Sequence, residues 1–118
     1  TTFNILKGAD GKIITISEYP FSESGDWSQE WCHYFDAYGQ TYAFESNLNA
    51  FNSMCTEGVT YEKDALFYDK NFTKVGSSYS LKDEKGKALK KEDCNMYEFK
   101  YTPQPDLETY LKANYLNP

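Results

Sequence analysis

Trp31-Cys32-His33-Tyr34-Phe35-Asp36-Ala37-Tyr38-Gly39-Gln40-Thr41-Tyr42-Ala43-Phe44 reads as two strands joined by a four-residue turn. Asp36 opens the turn and Gly39 closes it. An Asp side chain there accepts from the backbone N–H two residues on, and glycine takes a positive φ without strain. Together they frame a type I turn followed by a small bulge. The flanking runs are rich in aromatic residues, which favour strands.

The same frame recurs at Asp83-Glu84-Lys85-Gly86 and, more loosely, at Gly8-Ala9-Asp10-Gly11. Asp69-Lys70-Asn71-Phe72 keeps the Asp but lacks the Gly, so Asn71 is expected to supply the left-handed residue. The turns are spaced irregularly, which excludes a solenoid or propeller repeat. The sequence therefore predicts a mainly β fold, with α+β as the variant: one antiparallel hairpin meander spanning residues 1–118 as a single domain. Strands are expected near 3–7, 12–19, 31–36, 40–46, 65–69, 72–75, 79–82, 87–90 and 95–102. Tyr97, Phe99 and Tyr101, alternating with Glu98 and Lys100, give the cleanest period-two pattern. Short strands of this number suit either an open sheet or a small barrel.

Two helices are expected. Asn47 can cap a short middle one, with Leu48, Phe51, Met54 and Cys55 on one face and Gly58 as its stop. At the C-terminus, Leu107, Tyr110, Leu111 and Tyr115 form an apolar stripe, with Pro105 suited to the first helical position. Residues 20–30 read as the longest loop, although Asp26 can alternatively cap a helix with Trp27, Trp31, Tyr34 and Phe35 facing inward.

Composition narrows the function. The chain has 118 residues, 12 lysines, no arginine and a net charge of −6. Without clustered cations or the bidentate grip of arginine, nucleic-acid binding is not expected. The acidic balance favours a basic partner. No apolar run approaches the roughly 18 residues of a membrane helix, so no membrane insertion is expected. Aromatic residues number 21 against 14 Leu, Ile and Val. The core must be built largely of rings, and several of the 11 tyrosines can serve a recognition face.

The three cysteines lack zinc-site spacing. If one pair bridges, Cys55 with Cys94 is favoured, because Cys32 sits in an aromatic run and reads as a buried small hydrophobe. Asn71-Phe72-Thr73 is a glycosylation sequon on a turn. Both features lean towards a secreted or periplasmic chain, with the cytoplasm as the alternative. No cofactor motif is present. The plan of a meander closed by a helix is loosely similar to that of lipocalin-like barrels, but that family's Gly-x-Trp motif is missing near the start, and no family is assigned.

Three functions remain. The leading expectation is a non-catalytic protein-binding domain (an inhibitor, an immunity protein or a secreted interaction module) using loop and turn aromatics: Phe21, Trp27, Tyr38 and Phe72. The second is a small-molecule or carbohydrate carrier built on a barrel. The third is a small hydrolase, which requires two carboxylates converging in a cleft with one pushed above its usual range. No such pair is expected. His33, the only imidazole, reads as an ordinary half-buried strand residue.

Overall fold

In a computed structural model, which describes residues 1–51 and 53–118, six antiparallel strands form one open sheet. They are β1 (Thr2–Lys7), β2 (Ile13–Tyr19), β3 (Trp27–Phe35), β4 (Thr41–Ala50), β5 (Thr60–Tyr68) and β6 (Lys74–Lys82), each paired with its sequence neighbours. β1 and β6 stay at opposite edges, so the sheet is open and the barrel alternative falls. One α-helix among the described residues, α1 (Leu107–Ala113), follows a single 3-10 turn at Lys91–Asp93.

The Asp-first turns build three hairpins. Asp36 Oδ1 accepts from the N–H groups of Tyr38 and Gln40 at 2.9 Å each, and Gly39 has φ of 79°. Asp83 repeats this with Lys85 and Lys87. Asp69 repeats it with Asn71 and Thr73, but the left-handed residue is Phe72, at φ 59°, rather than Asn71. The frame fixes positive φ at its fourth position whatever residue stands there. Stacking of Phe72 on Tyr68, with centroids 4.2 Å apart, offsets the strain. A register shift lies beside the turns that join β1 to β2, β3 to β4 and β5 to β6, between Leu6/Lys7, Tyr34/Phe35 and Phe67/Tyr68 respectively.

Several expected boundaries move. The middle helix is absent: residues 47–50 continue β4, and its Asn52 lies outside the described residues. Leu48 and Ala50 are buried and alternate with Asn47 and Asn49, a period-two pattern that pairing with β3 and β5 on both sides selects over the helical one. Residues 27–30, expected as loop or helix, extend β3 because they pair with Asn47–Ala50 of β4. The segments expected at 72–75 and 79–82 are parts of the single strand β6, and 87–90 contributes only an isolated bridge, Lys82 to Ala88. Residues 95–102 form no ladder. Their alternation is nevertheless physical: the segment lies on one face of the sheet, with Phe99 4.7 Å from Trp27 and Tyr101 stacked 4.5 Å from Trp31.

This strap and α1 cover one face of the sheet, and α1 closes the core. Asp106, not Pro105, is the helix boundary: its Oδ1 accepts from Thr109 N–H at 2.7 Å. Ile16, Phe35 and Tyr110 are the buried centre, with Phe3, Ile5, Leu107, Leu111 and Leu116 packed around them. Tyr115 lies past the helix, exposed, and leaves the stripe to Leu116.

The strap is latched at one point on β3. His33, 0 % exposed, accepts the Gln104 backbone N–H on Nε2 at 3.0 Å. Thr41 Oγ1 donates to the Gln104 carbonyl at 2.8 Å, and Leu107 N–H donates to the Gly39 carbonyl at 2.7 Å. Phe44 and Tyr110 wall the imidazole, with centroids 5.1 and 4.7 Å away, and Nδ1 has no partner. Nε2 accepts, so the ring is neutral, and burial pushes its pKa down to about 4. His33 is thus fully buried rather than half-buried. Nearby, Glu18 Oε1 takes both the Tyr101 and Tyr110 hydroxyls at 2.8 Å, and burial, then these bonds, raise both phenols.

Candidate functional site

Alternation of side chains across the pleat gives the sheet two different faces. The strap, α1 and the 3-10 turn all make their contacts with one. The other carries Tyr19 from β2, Glu30 and Tyr34 from β3, Tyr42, Glu45 and Asn47 from β4, and Tyr61, Lys63 and Phe67 from β5. Tyr19, Tyr42, Tyr61 and Phe67 are exposed, above the buried small residues Ser17, Cys32, Ala43 and Ala65.

Hydrogen bonds hold this face in shape. Tyr34 donates its hydroxyl to Glu45, which also receives Lys63 Nζ at 2.8 Å. Burial acts to raise the Glu45 carboxyl, but the bonds from Lys63 and Tyr34 outweigh it and hold the group below its usual range. Tyr19 donates to Glu30 Oε2 at 2.8 Å, and Asn47 Nδ2 donates to Glu30 Oε1 at 3.0 Å. Cys32 is a free, buried thiol beneath these residues, and burial pushes it above its usual range.

A second feature lies on the covered face, where the strap does not reach β5 and β6. Glu62 and Asp64, two residues apart on β5, line a cleft of about 340 Å³ with Gln29, Ser46, Lys91 and Phe99. Glu62 Oε2 accepts the Tyr79 hydroxyl at 2.6 Å and Lys91 Nζ at 3.4 Å. Burial, then the Glu62 charge, pushes the Asp64 carboxyl up, against the pull of Lys91. The expectation of no such carboxylate pair is thereby corrected: the period-two spacing of β5 places Glu62 and Asp64 on one face, and strand placement starting at 65 hid it.

The four aromatics expected to contact a partner do not form one surface. Tyr38, 90 % exposed at the β3–β4 hairpin tip, and half-buried Phe72 at the β5–β6 tip occupy one end of the sheet. Phe21, 78 % exposed, and Trp27, partly covered by Phe99, belong to the other end, roughly 25 Å away along β3. Asn71 is exposed on its turn. Cys55 and Cys94 are disulfide-bonded, their Cα atoms 4.8 Å apart.

Reading from sequence missed the face made by Tyr19, Glu30, Tyr34, Tyr42, Tyr61 and Phe67. Its signal was present in Tyr61-x-Lys63-x-Ala65-x-Phe67, but only a β5 extended back to residue 60 reveals it. No helix among the described residues is long and apolar enough to cross a membrane. Compared with protein-family models, curated proteins and solved structures, the chain matches none.

Proposed function

We propose that this chain is a non-catalytic protein-binding domain that docks a folded partner on the open face of its sheet. The observation that carries this reading is the composition of that face: tyrosines and one phenylalanine standing above Ser, Ala and Asn. Tyr offers large, rigid contact area at low entropic cost, and Ser and Asn supply adaptable hydrogen bonds, as in antibody paratopes. Size agrees. Six strands about 4.8 Å apart and about 25 Å long present roughly 700 Å², near the about 800 Å² that each partner contributes to a standard interface. The net charge of −6 favours a basic partner, and the Cys55–Cys94 bridge favours a secreted or periplasmic chain. An inhibitor, an immunity protein or a secreted interaction module fits these terms. A carrier has less support, because the open sheet encloses no barrel interior.

The test is affinity capture from the native medium with wild-type protein, Tyr38→Ala, and the double variant Tyr42→Lys, Phe67→Lys. A partner held by the first two and lost by the third supports docking on the open face. A partner held equally by all three refutes it.

A second reading, a carboxylate hydrolase, draws on Glu62 and Asp64 in their cleft. Turnover of a glycoside in a substrate panel, abolished by Asp64→Asn, would support it; no turnover of any glycoside by the wild type ends it.

A further inference from the structure

We infer that the hollow beside Glu30 on the open face seats a cationic side chain, the guanidinium or ammonium group of the docked protein. The inference rests on the open-face reading and names the chemistry of its anchor. Glu30 stands on β3, one of the two central strands, so a partner covering the face covers it. A hollow of about 220 Å³ adjoins it, lined by Tyr19, Ser28, Gln29, Glu30, Asn47 and Asn49.

Three features make this carboxylate different from its neighbours. Its two oxygens are each tied once, to Tyr19 and to Asn47, which fixes the plane of the group. A carboxylate offers about four acceptor positions, so both oxygens keep capacity for the fork of a guanidinium. Glu30 also lacks a cation of its own. Glu45 has Lys63 at 2.8 Å and Glu62 has Lys91 at 3.4 Å, whereas no ammonium pairs with Glu30 among the described residues. Lys63 is committed to Glu45 and feels Glu30 only at longer range. The Glu30 charge is felt locally, since its hydrogen bond to the Tyr19 hydroxyl, then burial, holds that phenol above its usual range.

An arriving cation would therefore meet a half-buried, pre-oriented carboxylate with the Tyr19 ring at its side, where a cation–π contact adds to the ion pair. Little ordering is needed on this side of the interface, because Tyr19 and Asn47 have already done it. The other charges on the face are the Glu45–Lys63 pair and Lys82 on the edge strand, so Glu30 is the carboxylate of this face with no paired ammonium among the described residues.

The experiment is an amide-shift titration of the ¹⁵N-labelled chain with acetyl-Gly-Arg-Gly-amide, and with the same peptide carrying neutral citrulline in place of arginine. Saturable shifts are expected at residues 19, 28–30 and 47–49, at least five-fold weaker for the citrulline peptide and in Glu30→Gln. Shifts that are absent, that gather instead at Glu62 and Asp64, or that persist undiminished in Glu30→Gln overturn the inference. If Glu30→Gln does not fold, the citrulline comparison on wild type decides alone. If the Tyr42→Lys, Phe67→Lys variant still loses its partner while the arginine peptide finds no site, the open face stands and its cationic anchor falls.

Discussion

Acid should undo the strap through His33. The folded protein holds this imidazole neutral at a pKa of about 4, against the usual 6.5. Between those values the unfolded chain binds a proton that the folded chain refuses, so stability falls as pH falls. The contribution is complete above about pH 6.5, declines through the window from 6.5 to 4, and is lost below it. At about 1.4 kcal/mol per pH unit, the full loss is about 3 kcal/mol, a large share of the 5–15 kcal/mol that typically holds a domain folded. Protonation also places hydrogen on Nε2, which can then no longer accept from Gln104, so the strap should loosen first. Another group titrates in acid too: the depressed Glu45 carboxyl also contributes stability that is lost as pH falls. The comparison that isolates His33 is urea unfolding from pH 7.5 to 4 for wild type and His33→Gln, whose amide keeps an acceptor but does not titrate. The wild type should lose about 3 kcal/mol more than the variant across the window. Amide exchange at Gln104 and Leu107 should accelerate before that of the sheet. Parallel loss in the two proteins, or an imidazole resonance titrating near 6.5 in the folded state, would refute the reasoning.

Three further outcomes are expected. Reducing Cys55–Cys94, which closes a loop of 39 residues in sequence separation, should lower stability by roughly 3–4 kcal/mol on chain-entropy grounds, read from urea midpoints with and without reductant. Glu18→Gln should cost about 2 kcal/mol, because one carboxylate oxygen serves two buried tyrosine hydroxyls; a change below about 0.5 kcal/mol would show that these bonds are replaceable. Tyr38→Ala should leave the melting temperature unchanged, whereas Phe72→Ala should lower it slightly by removing the stack on Tyr68.

Local rules were the readable part. Asp36 and Asp83 announced their hairpins because the turn chemistry is contained within four residues. Tyr97, Phe99 and Tyr101 announced a buried face for a similar reason, although alternation cannot say whether the neighbour is a strand beside the segment or a sheet beneath it. What stayed hidden depends on pairing at a distance. Asn47 to Ala50 satisfy a helical pattern and a strand pattern equally, and only β3 and β5 on either side choose between them. The same ambiguity concealed the start of β5, and with it both Glu62–Asp64 and the tyrosine face. His33 gave no sign of its burial, since its acceptor role is defined by Gln104, 71 residues away.

The order in which the chain lays down its parts has a consequence for synthesis. The sheet is complete at Lys82, yet the rings and leucines that cover Trp27, Trp31, Ile16 and Phe35 lie from Tyr97 onward. A nascent chain emerging from N- to C-terminus therefore holds a sheet bare on both faces until the segment from Tyr97 to Leu116 appears. During that interval one face is a tyrosine surface bearing carboxylates and the other an uncovered bed of indole and aliphatic groups. Chains released early, or truncated by proteolysis before the strap, will keep that second bed in contact with water and self-associate through it, whereas the finished molecule displays only the first.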